Sequence, residues 1–225
     1  MRKLVLYSDQ IEPETDPVDQ ALLALLGKPH ATVGYIPARA DPERTYYEGR
    51  RAYYDRLGMR MSTYFELDDA YEPDRLDELL ACDAIHLSGG NTYTFLHWLR
   101  KRRLLAPLRD YVARGGVLIG VSAGSILMTP EISISALYGD TPVEGDTDPF
   151  ALHLVDFIFA PHLDAIRAGL APLQAISRTR HQVLYACRDS GGVVVDDGQV
   201  TCVGDVTVID NGEIVPPLHG TGSGS

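Results

Sequence analysis

The chain has 225 residues, of which 45% are hydrophobic and 23% charged, and this composition argues against a disordered chain or a coiled coil. Lysine and arginine total 20 against 31 for aspartate and glutamate, and the net charge of −11 argues against a broad nucleic-acid or anionic-membrane surface. The amino terminus lacks the apolar core of a signal peptide, and no apolar run reaches the roughly 18 residues of a membrane span. We therefore expect a cytoplasmic protein that binds a small soluble partner and neither nucleic acid nor membrane.

Short apolar runs alternate with amphipathic stretches along most of the chain, as is typical of a mainly parallel sheet sandwiched by helices. In chain order, the predicted strands are 3–8, 31–39, 61–69, 83–90, 116–121, 157–164 and 183–189, followed by two hairpins over 192–204 and 206–215. The predicted helices are 17–27, 42–58 (capped by Asp41), 73–82, 91–116 with a break near Pro107, 123–129 and 171–181. The pattern predicts one α/β domain over residues 1–217 and a flexible tail over 218–225.

Three further features bear on chemistry. Residues 131–150 are rich in Pro, Gly and Asp and predict a long loop, a kind of segment that often carries function. Cys82, Cys187 and Cys202 stand singly in apolar or strand-like surroundings, which favours reduced core thiols. The histidines lack the spacing of a zinc hydrolase, and we expect neither a metal nor a cofactor.

The segment Gly120–Gly124 reads G-V-S-A-G, with an apolar strand before it and a helix-compatible run after it. This is the context of a nucleophile elbow, in which a tight turn exposes the serine, here Ser122, at the carboxyl edge of the sheet. The flanking glycines remove the Cβ atoms that would crowd such a turn, and the helix amino terminus directs free N–H groups toward developing negative charge. The pattern predicts a serine nucleophile, although an incidental serine in a glycine-rich turn fits the pentapeptide equally well.

Two other strand ends should meet Ser122. The turn Ser88-Gly89-Gly90-Asn91-Thr92 follows a predicted strand, so in a parallel sheet it emerges at the same edge. One N–H from Gly90 and one from Ala123 can then form an oxyanion hole. His162 also lies where an apolar strand meets a loop, which makes it the best placed of the seven histidines to act as general base.

With SGGNTYTFL, GVSAG and APHLD in this order, the chain resembles the peptidase E and cyanophycinase family of serine peptidases over roughly residues 80 to 165. The resemblance implies a class I glutamine amidotransferase-like, flavodoxin-like fold and a homodimer. It also implies Ser122 as nucleophile, His162 as base, Gly90 and Ala123 as oxyanion donors, and Asn91 and Thr92 as substrate contacts. The expected function is hydrolysis of dipeptides or short peptides through an acyl-enzyme.

The resemblance leaves the triad acid open. Peptidase E proper has an aspartate in an N-D-M-P stretch, and the corresponding segment here reads SISALYGD, with Asp140 as its carboxylate. Cyanophycinase-like members use a glutamate just before a late apolar strand, and aligning that strand with GGVVVDD places Asp189 at this position. We favour Asp189 over Asp140, with Glu131 and Asp164 behind them.

The segment that would set aspartyl specificity also departs from the family. The resemblance implies an arginine in a G-E-T-R segment after the histidine, which in aspartyl dipeptidases of the family pairs with the acidic side chain of the substrate. This motif is missing here, so the sequence does not predict a strict preference for amino-terminal aspartate. Arg167, Arg178 and Arg180 are the candidates to replace its arginine. The basic run 100–103 predicts a solvated helix face rather than a nucleic-acid site.

Four tyrosines have helical spacing, which favours packing in the core or against another subunit first and a role in a pocket wall second. They are Tyr46, Tyr47, Tyr53 and Tyr54.

Two alternative functions stay open at this point. One is an amidotransferase-like binding protein without turnover, which the uncertain acid favours. The other is a hydrolase of ester or isopeptide bonds, because the same elbow and base serve any acyl transfer.

Overall fold

A computed structural model describes residues 2–68 and 70–217. Asp69, the last residue of the predicted third strand, and the predicted tail 218–225 lie outside the described residues. The helices are Asp16–Leu26 (α1), Thr45–Arg56 (α2), Leu76–Leu80 (α3), Thr92–Lys101 (α4), Leu105–Ala113 (α5), Ala123–Ile126 (α6) and Ala171–Arg180 (α7). The strands are Lys3–Tyr7 (β1), Thr32–Ile36 (β2), Arg60–Tyr64 (β3), Ala84–Leu87 (β4), Val117–Val121 (β5), Ile158–Ala160 (β6), Leu184–Cys187 (β7), Gly192–Asp196 (β8), Gln199–Val203 (β9), Val206–Asp210 (β10) and Glu213–Val215 (β11).

The main sheet has seven strands in the order β3-β2-β4-β5-β1-β8-β9. Its first five strands are parallel, and β8 and β9 complete it as an antiparallel hairpin. Side chains alternate along the strands, so each face has its own core: Leu4 and Leu6 of β1 pack with α4 and α5, whereas Val5 and Tyr7 pack with α1 and α2. The expected α/β class, with a mainly parallel sheet between helices, is confirmed.

A second sheet, of four strands in the order β11-β10-β7-β6, was not predicted as a separate layer. The two predicted hairpins both form, but β8–β9 extends the main sheet while β10–β11 pairs with β7. Within the second sheet, β6 and β7 run parallel, with Ala160 opposite Ala186. The carboxyl ends of β6 and β7 therefore lie side by side, and the residues that follow these two strands lie close together.

Local capping and a helix break differ in detail from the sequence prediction. Helix α2 begins at Thr45 rather than at residue 42, but Asp41 caps it as expected, since its carboxylate accepts hydrogen bonds from three backbone N–H groups of the first turn.

The break between α4 and α5 lies at residues 102–104, where Arg103 has a φ of 57°. Pro107 lies in the first turn of α5, where its missing N–H leaves no helical hydrogen bond unmade.

The predicted loop 131–150 is partly ordered, and in the basic run beside it Lys101 and Arg103 are exposed as expected, whereas Arg100 contacts the loop. A 3₁₀ helix spans Ser133–Tyr138. Arg100, whose side chain is 19% exposed, pairs with Asp146 at 2.9 Å and with Asp148 at 3.1 Å, and so ties this segment to α4. The sequence could not show these partners because they lie more than forty residues away. None of the helices in the described ranges is long and apolar enough to cross a membrane.

Candidate active site

Ser122 occupies a strained turn between β5 and α6. Its φ of 53° and ψ of −109° lie outside the usual regions for a residue with a side chain, as expected for an elbow that pushes the side chain out of the sheet. The backbone is held there because the Ser122 N–H donates to the Tyr7 carbonyl and the Gly124 N–H donates to the Ser88 carbonyl. A Cβ on Gly124 would lie 2.1 Å from the Leu87 carbonyl oxygen, so this position requires glycine.

His162 reaches Ser122 from the second sheet, two residues after β6. Its Nε2 lies 2.6 Å from Ser122 Oγ, and its Nδ1 lies 2.8 Å from an Asp189 carboxylate oxygen. An ionised carboxylate can only accept, so Nδ1 carries the proton and Nε2 is free to accept from the serine hydroxyl. The three side chains thus form the hydrogen-bond chain that a serine nucleophile needs for activation.

Asp189 reaches His162 because β6 and β7 are parallel neighbours. Asp189 lies two residues after the end of β7, as His162 lies two residues after the end of β6. The backbone N–H of His162 donates to the backbone carbonyl of Cys187 at 3.4 Å. The carboxylate remains 57% exposed, whereas the His162 side chain is 26% exposed. Tyr138 packs edge-on against the imidazole at 6.3 Å between ring centroids and donates to the Pro161 carbonyl, which fixes the loop that carries the histidine.

The other carboxylates considered for the triad are engaged elsewhere. Asp140 accepts from the Asn91 amide at 3.0 Å and from the Thr92 N–H at 2.8 Å, at the amino terminus of α4. Asp164 pairs with Arg188 at 2.6 Å. Glu131 pairs with Arg180 and accepts from Ser133. Each of the three therefore has a structural partner.

The predicted oxyanion donors are Ala123, directly after Ser122, and Gly90, in the turn after β4. Ala123 is the first residue of α6, so its N–H is among those with no partner inside the helix. Gly90 has a φ of 146°, a conformation that side chains rarely adopt, and lines the same cavity as Ser122. The adjacent strands β4 and β5 thus lead to Gly90 and Ala123 at the same edge of the sheet.

The two predicted substrate contacts differ in position. Asn91 lines the cavity, but its side chain also caps α4 by accepting from the Thr94 N–H at 2.9 Å. Thr92 is 1% exposed and is not among the described residues that line the cavity. The structure therefore places Asn91, and not Thr92, where its side chain can meet a ligand.

A cavity of about 630 Å³ opens in front of Ser122 and His162. Residues that sequence reasoning missed form much of its wall: Asp9 after β1, Arg39 after β2, Arg50 of α2 and His86 of β4. His86 is buried, its Nδ1 lies 2.8 Å from the Tyr54 hydroxyl, and its ring stacks on Tyr35. Burial, and then the nearby Arg50 charge, hold the pKa of His86 well below its usual value, so the ring is neutral at pH 7.

The three arginines predicted as specificity residues lie elsewhere. Arg180 pairs with Glu131, Arg178 lies 4.0 Å from Glu213, and Arg167 lines a different cavity. All three follow His162 in the sequence, whereas the arginines that line the cavity are Arg39, after β2, and Arg50, in α2. The position of Arg39 at the end of a predicted strand is the sequence feature that indicates a residue at the site.

Two smaller expectations concern thiols and tyrosines. Cys82 and Cys187 are buried free cysteines, and Cys202 is half-buried and also free. Tyr47, Tyr53 and Tyr54 are core residues, while Tyr46 is 57% exposed and lines the cavity, so both roles considered for this group occur.

Within residues 2–68 and 70–217, no group of three or more His, Cys, Asp or Glu side chains is arranged to hold a metal ion.

A mainly parallel α/β sheet with a Ser-His-Asp hydrogen-bond chain at its carboxyl edge has the architecture of a serine hydrolase. Residues 4–204 match the model of peptidase family S51, and the chain belongs to this family. The predicted resemblance to peptidase E is thereby confirmed.

Individual relatives agree with this assignment. The chain is 38% identical over 147 residues to peptidase E of Escherichia coli O1:K1 / APEC, a match that covers 61% of this chain and 63% of that protein. It is 30% identical over 146 residues to peptidase E of a Nostoc species, covering 64% of this chain and 57% of that one. The chain thus spans less than two thirds of the length of these relatives. A crystal structure of a putative peptidase E protein from Listeria monocytogenes EGD-e shares the fold, with a TM-score of 0.71, 24% identity and coverage of 90% and 98% of the two chains.

Proposed function

We propose that this protein is a serine peptidase that hydrolyses dipeptides or other short peptides through an acyl-enzyme. The observation that carries the proposal is the continuous chain from Ser122 Oγ to His162 Nε2 at 2.6 Å and from His162 Nδ1 to Asp189 at 2.8 Å. It supplies a nucleophile, a base and a group that orients the base.

In the proposed reaction, Ser122 Oγ attacks the scissile carbonyl carbon while His162 Nε2 takes the hydroxyl proton. The resulting imidazolium is stabilised by the Asp189 carboxylate and gives its proton to the leaving amine as the C–N bond breaks. A water molecule, deprotonated by the same imidazole, then attacks the acyl-serine ester and releases the acid product.

The tetrahedral intermediates need donors for their negatively charged oxygen. The N–H groups of Gly90 and Ala123 are proposed for this role, because they leave the adjacent strands β4 and β5 next to Ser122. Backbone donors fixed by a strained turn need no reorganisation during the reaction, which is the main advantage of such a site.

The cavity supports a small substrate. Its volume of about 630 Å³ is in the range of small-molecule sites. Its wall is built from strand ends and from residues of two helices, Tyr46 and Arg50 of α2 and Thr94 of α4. A short peptide fits such a site better than a folded protein chain does.

The proposal is tested by Ser122→Ala, with Ser62→Ala, on an exposed strand position, as the matched control. We expect Ser122→Ala to lower kcat for peptide hydrolysis by about 10³-fold or more with little change in thermal unfolding, and Ser62→Ala to keep the wild-type rate. A fluorophosphonate probe should label the wild type and not Ser122→Ala. Full turnover by Ser122→Ala would overturn the mechanism, and peptide, ester and β-aspartyl substrates assayed side by side identify the bond that is cleaved.

A further inference from the structure

Two glycines, Gly89 and Gly90, form the turn that carries one of the proposed oxyanion donors. They have no side chains that could fix the turn, and neither of their N–H groups donates to another described residue. The direction of these N–H groups therefore depends on the residues at the two ends of the turn. The first end is fixed to the sheet, since the Ser88 hydroxyl accepts from the Ala38 N–H at 2.7 Å and the Ser88 carbonyl accepts from the Gly124 N–H at 3.2 Å.

The second end of the turn is held by a carboxylate from a distant part of the chain. Asp140 accepts from the Asn91 side-chain amide at 3.0 Å and from the Thr92 N–H at 2.8 Å. The Oδ1 atom of Asn91 accepts from the Thr94 N–H at 2.9 Å and thereby caps α4. Asp140 is thus the partner that fixes the Asn91 side chain from outside the helix.

The segment that carries Asp140 also contacts the loop of the general base. Tyr138 donates to the Pro161 carbonyl at 2.6 Å, and its ring centroid lies 6.3 Å from that of His162. The Asp140 N–H donates to the Ser135 carbonyl at 3.3 Å, which fixes Asp140 against the 3₁₀ helix that ends at Tyr138. This short stretch of chain therefore joins the glycine turn to the loop that carries the base.

We propose that Asp140 is a positioning residue that, by holding Asn91, directs the Gly90 N–H toward the oxyanion of the tetrahedral intermediate. The inference rests on the proposed function and adds a residue to its machinery. Asp140 acts here through geometry, because a negative charge beside a developing oxyanion would by itself slow the reaction. Loss of its charge alone would therefore raise the rate, whereas loss of the position that it imposes lowers the rate.

The first test is Asp140→Asn. Asparagine and aspartate are about equally good at a helix amino terminus, so the variant keeps an acceptor for the Thr92 N–H. Its new amide group, however, would face the amide group of Asn91, and two donors cannot form a hydrogen bond. We expect kcat for peptide hydrolysis to fall about 10-fold with an unchanged KM, less than the ~10²–10³-fold cost of removing an oxyanion donor.

A second readout separates positioning from a loss of folded protein. A peptide boronic acid forms a tetrahedral adduct with the serine, and one oxygen of this adduct takes the place of the oxyanion. Its Ki should rise by the same factor of about 10 in Asp140→Asn, whereas a smaller folded fraction would leave Ki unchanged. The matched control is Asp148→Asn, which alters another contact between the same loop and α4, the ion pair with Arg100 at 3.1 Å. This control should keep the wild-type kcat and Ki.

A reciprocal exchange tests the hydrogen bond itself. Asn91→Asp alone places two carboxylates side by side and should lower kcat by more than Asp140→Asn does. When Asn91→Asp is combined with Asp140→Asn, the donor and the acceptor change places, and both residue types still cap the helix. We expect this double variant to regain about 10-fold in kcat over Asn91→Asp.

Four results would overturn the inference while the peptidase function stands. They are wild-type kcat and Ki in Asp140→Asn, a faster reaction in this variant, an equal loss in Asp148→Asn, and no recovery in the double variant. If the wild type cleaves no peptide, the rate at which the fluorophosphonate probe labels Ser122 and the Ki of the boronic acid give the same comparison. A wild type that the probe does not label would overturn the proposed function and, with it, this inference.

Discussion

Replacing Asp189 by alanine tests how much an exposed acid contributes to a serine–histidine pair. The carboxylate lies 2.8 Å from His162 Nδ1 and is 57% exposed, so water can solvate the imidazolium in its absence. A hydrogen bond to a charged group is worth about 1.5–3 kcal/mol, and exposure places this one toward the lower end. We therefore expect kcat to fall by about 10- to 100-fold, well short of the ~10⁴-fold loss known for a buried triad aspartate.

The assay is steady-state hydrolysis of a short peptide, with KM as an internal check. KM should stay near the wild-type value, because Asp189 stabilises charge that develops after binding. Added formate should restore part of kcat in Asp189→Ala, since the site is open to solvent. The matched control is Asp164→Ala, which removes a neighbouring exposed acid that pairs with Arg188 instead of His162. Full kcat in Asp189→Ala, or an equal loss in Asp164→Ala, would refute the assignment of Asp189 as the acid that orients His162. A loss of ~10⁴-fold or more in Asp189→Ala would refute the argument that solvent exposure limits the contribution of this carboxylate.

Two further predictions concern the scaffold of the site. Gly124→Ala should destabilise the fold by about 1–3 kcal/mol or more in denaturant unfolding, since the added Cβ would lie 2.1 Å from the Leu87 carbonyl oxygen. The control is Gly49→Ala in α2, where an added Cβ has no neighbour within 4 Å, and this variant should be slightly more stable than the wild type. An unchanged stability for Gly124→Ala would contradict the close approach. His86 has a lowered folded pKa, so the unfolded chain binds its proton first and stability is lost as pH falls below about 6.5. His86→Gln should remove about 1.4 kcal/mol of that loss per pH unit, and parallel slopes for wild type and His86→Gln would count against a buried neutral imidazole.

Features that depend on near neighbours along the chain can be predicted from the amino-acid sequence alone. The apolar run of β5, the glycines around Ser122 and the helix-compatible residues after it lie within about ten positions, so the elbow follows from local sterics. The same holds for the turn at Gly90 and for His162 at the end of β6, because a parallel sheet brings such strand ends to one edge.

The tertiary structure decided which side chains complete the site. Four carboxylates fitted the sequence, and Asp189 is the one beside His162 because β7 pairs in parallel with β6 in a second sheet that no local pattern predicts. Arg39 and Asp9 face the cavity because β2 and β1 flank the central strands, and Arg50 because α2 packs over the sheet. Strand partners and helix packing are set by the joint burial of segments far apart in sequence, so a single chain read from end to end does not reveal them.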